Sequence, residues 1–141
     1  MILGICGQRP SRLGGFGENQ TRARVRTAMR EFILSKSPTL LLSGMALGVD
    51  QWAVELAIGA GIPFHAYVPF VGQEDSWPMS QRVYYRQLLK AAGQVVHVAP
   101  NTLGFAAIEV AVIVAGVVWS AAVVGGAVYV LTSAIETLGN I

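Results

Sequence analysis

Ser43–Ala53, reading SGMALGVDQWA, holds the densest set of residues able to grip a ligand. Gly44 and Gly48 allow sharp turns and close backbone approach, because neither carries a Cβ. An apolar run precedes the segment and an amphipathic one follows, which places the turn between a strand and the start of a helix. Helix N-termini present unpaired N–H groups and the positive end of the dipole. The phosphate of a nucleotide-like ligand is therefore the expected guest. Ser43 adds a hydroxyl donor, and Met45 sits inside the turn. Asp50 lies in the first helical turn, where it can cap N–H groups or accept from a ribose hydroxyl. A plain strand-to-helix turn with a capping Asp would use the same residues.

Three further loops carry chemistry-bearing residues. GQRPSRLGG, Gly7–Gly15, follows the first apolar run and offers Gly7, Gln8 and Arg9. Arginine can fork onto a phosphate, and Arg9 is read as a ligand contact. For Arg12, a solvated basic loop and a ligand contact both stand. PFVGQEDSWP, Pro69–Pro78, brings Phe70 and Trp77 to stack on a base and Gln73 or Glu74 to read its edge. Trp77 beside Pro78 reads equally as a packing lid. Gly125–Gly126 would make a second phosphate-facing turn, or a plain packing turn.

Other chemistries find no footing. His65 and His97 fall in apolar runs without ligand spacing toward Cys6, so no metal site is expected. Cys6 itself reads as a structural thiol in an apolar run. There is no G-x-S-x-G elbow, no P-loop lysine and no Cys-x-x-Cys. No cofactor is implied.

These loops need a scaffold, and the chain describes one. Its 141 residues suit a single domain. With 53% hydrophobic and 13% charged residues, disorder is excluded. Short apolar runs at Met1–Cys6, Thr39–Leu42, Ile62–Val68 and Gln94–Ala99 read as strands. Helices are predicted at Thr21–Lys36, Val49–Ala60 and about Ser80–Ala92. That alternation predicts an α/β fold, a Rossmann-like three-layer sandwich on a mainly parallel sheet of about five strands. Arg9, Arg12, Arg22, Arg24, Arg26 and Arg30 crowd the first thirty positions and create a positive field there. The start of the chain lacks a signal-peptide pattern, which with the single cysteine predicts a cytoplasmic location.

Val110–Ala134 contains no charged residue and meets the length criterion for a membrane span. The internal Gly125–Gly126 and the absence of flanking Lys or Arg favour another reading, a closing α-β-α unit over 101–141. It comprises a helix at Phe105–Ala115, a strand at Gly116–Ala122 and a helix at Ala127–Leu138. An apolar helical face in such a unit would be covered by self-association, giving a homo-oligomer.

GQRPSRLGGFG, SGMALGVDQWAVELA and PFVGQEDSWPMSQRVYYRQLL together resemble the SLOG superfamily, most closely its YpsA-type and phage-encoded proteins related to the DNA-processing protein DprA. The resemblance covers roughly residues 1–100, with Gln8 where that family commonly has His. VVWSAAVVGG echoes the family's P-G-G-T-A-type loop without its polar residues.

The resemblance implies a Rossmann-like domain binding nucleotides or nucleotide-derived ligands. A non-catalytic binder is the leading expectation. The alternatives are a DprA-like single-stranded DNA binder, its backbone tracked by Arg22, Arg26 and Arg30, and a LOG-type phosphoribohydrolase. The last needs a carboxylate near the second glycine loop, and none follows Gly126 until Glu136.

Overall fold

The computed structural model describes residues 1–99, 120–124 and 127–131. Parallel strands β1 (Ile2–Ile5), β2 (Leu40–Ser43), β3 (Phe64–Phe70) and β4 (Gln94–Ala99) alternate with α1 (Gln20–Lys36), α2 (Val49–Gly59) and α3 (Met79–Lys90). The sheet order is β1-β2-β3-β4. All its pairings are parallel, with Ile5 opposite Ser43 and Ser43 opposite Ala66. The four strands and three helices match the sequence-predicted elements to within about two residues at most ends, and they are consistent with a Rossmann-like fold.

Local chemistry explains each helix. In α1, Val25, Met29 and Ile33 recur every fourth residue and are buried, each contributing roughly 1.5–3 kcal/mol. Asn19 caps the helix by accepting from the Arg22 N–H at 2.8 Å. Helix α2 packs between α1 and α3, which is why it is buried on so much of its circumference, from Val49 to Val54 and again at Ala57. It ends in a Schellman turn. Ile62 N–H donates to the Ala57 carbonyl and Gly61 N–H to that of Ile58, with Gly61 at φ +71°.

A sheet whose order follows the chain in one direction, through right-handed crossovers, sends every helix to the same face. Leu3, Ile5, Leu41, Phe64, Ala66 and Val68 point to that face and are buried with Met29, Ile33, Val54 and Tyr85. The described residues thus supply two of the three expected layers.

The closing unit departs from expectation. Strands β5 (Ser120–Val124) and β6 (Ala127–Leu131) pair antiparallel as a separate two-stranded sheet. No fifth strand is seen in the parallel sheet among the described residues. Ala127–Leu131 is a strand, not the first turns of a helix. AVYVL is rich in β-branched and aromatic residues, and a Gly-Gly pair between two such runs is also a hairpin signal. The hairpin interrupts Val110–Ala134, so a continuous spanning helix does not form there. No helix among the described residues is long and apolar enough to cross a membrane. The helix expected at Phe105–Ala115 lies outside the described residues.

Candidate functional site

Parallel pairing sets the ends of β1 and β2 side by side, and the loops leaving them meet at Asp50. Gly7 N–H donates to Asp50 Oδ1 at 3.1 Å, and Ala46 N–H donates to Oδ2 at 3.4 Å. The carboxylate, 5% exposed, thus fills the amide cradle expected for a phosphate. Burial pushes its pKa up to about 7, against the opposing pull of the Gly7 and Ala46 amides and of Arg9.

The turn is fastened from within. Ser43 Oγ accepts from Met45 N–H at 3.1 Å and donates to the Asp50 carbonyl at 3.1 Å. Gln51 Nε2 donates to the Met45 carbonyl at 3.1 Å. Met45 is left-handed at φ +61° and fully buried. Gly48, at φ +99°, lies so close to the first loop that a Cβ would come 2.5 Å from the Gln8 carbonyl oxygen. That same oxygen accepts from Val49 N–H at 3.3 Å. The two loops expected to clasp a ligand from opposite sides therefore grip each other.

What remains accessible lies along their shared rim. Gly7, Gln8, Gly44 and Ala46 are half-buried and Arg9 is exposed. Gln73 does not stand free to read a base edge; its Nε2 donates to the Gly44 carbonyl at 3.2 Å and reaches Tyr85 Oη at 3.4 Å. It ties the loop after β3 to the SGMALG turn. Phe70 is half-buried at the end of β3. Trp77 is a packing residue, 7% exposed and edge-on to Tyr85 at 5.3 Å between centroids. Gly125 and Gly126 lie outside the described residues. Because β6 follows them, no helix N-terminus comes next, and the expected second phosphate turn loses its dipole.

The arginine stripe is only partly available. Arg22 lies over the Trp52 ring at 5.0 Å and 3.3 Å from Glu18. Arg26 pairs with Glu55 on α2, while Arg30 is exposed. Tyr84 shares Glu55, and burial followed by that hydrogen bond raises its pKa. This helix-side cluster has no local sequence signal, because its members come from three helices. Cys6 is half-buried, and burial together with the Asp50 charge pushes its thiol up to about 11. No group of metal-ligating side chains comes together among the described residues.

No model of a known protein family matches the chain. Among curated proteins it is similar to the "UPF0398 protein" of Bacillus thuringiensis (strain Al Hakam) and that of Bacillus cereus (strain Q1), each 26% identical over 104 residues. A further relative in Bacillus cereus (strain G9842) is 25% identical over the same length. Each comparison covers 67% of this chain and 56% of the relative. The chain is thus a distant relative of UPF0398 proteins and spans little more than half their length.

Proposed function

We propose that the chain is a SLOG-type domain that binds a nucleotide or nucleotide-derived ligand at the carboxyl ends of β1 and β2, without turning it over. The observation that carries this reading is the junction around Asp50. Two glycine-bearing loops interlock there beneath the N-terminus of α2, with exposed Arg9 beside them. Open α/β sheets bind ligands at this edge. The superfamily resemblance of the three quoted motifs supports the same place.

In this reading the amides of Gly7 and Ala46 serve Asp50, and Asp50 pins the two loops together beneath the ligand. Arg9 holds the phosphate, and the half-buried Gln8 and Gly44 shape the rim, with the buried Met45 and Gly48 fixing the turn beneath them. Phe70 borders the base. Asp50 is engaged on both oxygens, which suits a binder better than an acid–base catalyst that must reach a reacting atom. The DNA-binding alternative is weakened because Arg22 and Arg26 face α2. Self-association and a cytoplasmic setting complete the proposal.

Calorimetric titration with nucleoside mono-, di- and triphosphates and dinucleotides tests it. One member should bind at micromolar concentration, and Arg9→Ala should weaken it about tenfold, the loss of one charge-assisted contact. A folded protein that binds none of them refutes the proposal.

A further inference from the structure

A cavity of about 220 Å³ opens among the N-terminal turns of α1, α2 and α3. Pro10, Leu47 and Gly48, from the two loops of the Asp50 junction, line one side of it, so it adjoins that junction. Phe16 and Tyr84 line it at 50% and 36% exposure, and the buried Trp52 forms an inner wall. Gln81 contributes an amide.

The charges around this cavity are already matched. Arg22 lies against Glu18 and the face of Trp52, and Arg26 pairs with Glu55. A phosphate entering here would find no uncompensated positive charge, whereas a neutral ring would lose nothing to repulsion. The Gln81 amide, half-buried at the cavity wall, offers a donor and an acceptor to an incoming polar edge. The volume falls below the roughly 300–1,000 Å³ of drug-sized pockets. It suits a ring system, not a whole nucleotide.

We propose that this cavity binds an uncharged, planar nitrogen heterocycle of purine type, stacked against Phe16 and Tyr84 with its polar edge toward Gln81. The site borders the strand-end site of the proposed function along Gly48, but its binding of a free base does not require a phosphate to bind there. Free adenine, guanine and hypoxanthine are the probes, titrated into the full chain by calorimetry and followed by the indole N–H resonance of Trp52.

One purine should bind and shift the Trp52 resonance. Phe16→Ala should weaken it about tenfold, as expected for one base–aromatic stack; Phe16 accepts from Arg22 through its carbonyl, which the substitution keeps. Gln81→Ala should weaken it as well. Ribose 5-phosphate, which lacks a base, should bind wild type and both variants alike if the strand-end site works, so failure of one site is distinguishable from failure of the other. Absence of purine binding by the folded wild type overturns the proposal. So does binding that neither substitution moves, or binding whose resonance shifts in the unmodified protein leave Trp52 untouched.

Discussion

Asp50 gives the sharpest test of the junction, because two physical effects on it have opposite signs. Burial favours the neutral acid, whereas the amides of Gly7 and Ala46 and the charge of Arg9 favour the carboxylate. Burial wins, and the group titrates near 7 in the folded protein against an ordinary value of 3.8. Between those values the native state holds a proton that the unfolded chain has released. Stability from this group is complete below about 3.8 and is lost as pH rises through about 7. At about 1.4 kcal/mol per pH unit, the gap amounts to about 4 kcal/mol.

The perturbation is Asp50→Asn, which removes the titration while keeping an oxygen for Gly7 N–H. Urea unfolding of both proteins from pH 4 to pH 9 isolates the effect, since every other carboxylate is common to the pair. The variant should gain on wild type as pH rises, by up to about 4 kcal/mol, and the gain should level off above about pH 7. Even if the new amide opposing Ala46 N–H lowers the variant's stability throughout, that offset is independent of pH. A wild type that gains on the variant with rising pH would refute the reasoning, because it would mean that the amides outweigh burial.

Gly48→Ala combines a positive φ with a Cβ 2.5 Å from the Gln8 carbonyl oxygen. Thermal or urea unfolding should show a loss of about 2–4 kcal/mol. Gly17→Ala, whose Cβ would meet nothing within 4 Å, should stay within about 0.5 kcal/mol of wild type and serves as the control. Glu55→Ala leaves Arg26 without its ion pair and Tyr84 without its acceptor. The expected loss is about 1–3 kcal/mol, and a double-mutant cycle with Arg26→Ala should show that the two changes are not additive.

The elements that position the site were legible because their residues state their period. Val25, Met29 and Ile33 mark one side of α1, and the apolar runs at Thr39–Leu42 and Ile62–Val68 are short enough to read as strands before their helices. Ala127–Leu131 misled because an uninterrupted apolar run has no period, and such a run fits a buried helix as well as a strand. The location of the junction was legible too, since glycines after a strand and before a helix mark a carboxyl edge. Its occupancy was not. Asp50 and Gly7 lie 43 positions apart, and only the α1 crossover brings the ends of β1 and β2 together. A sequence displays the donors of a glycine-rich turn, but not the acceptor that folds back onto them. Here that acceptor sits at the second position of the very helix whose dipole was expected to draw an anion. The helix does hold an anionic group at its N-terminus, but the group is the chain's own. A phosphate bound at this edge must therefore rest on Arg9 and the outer rim, and its affinity should rise whenever Asp50 is protonated.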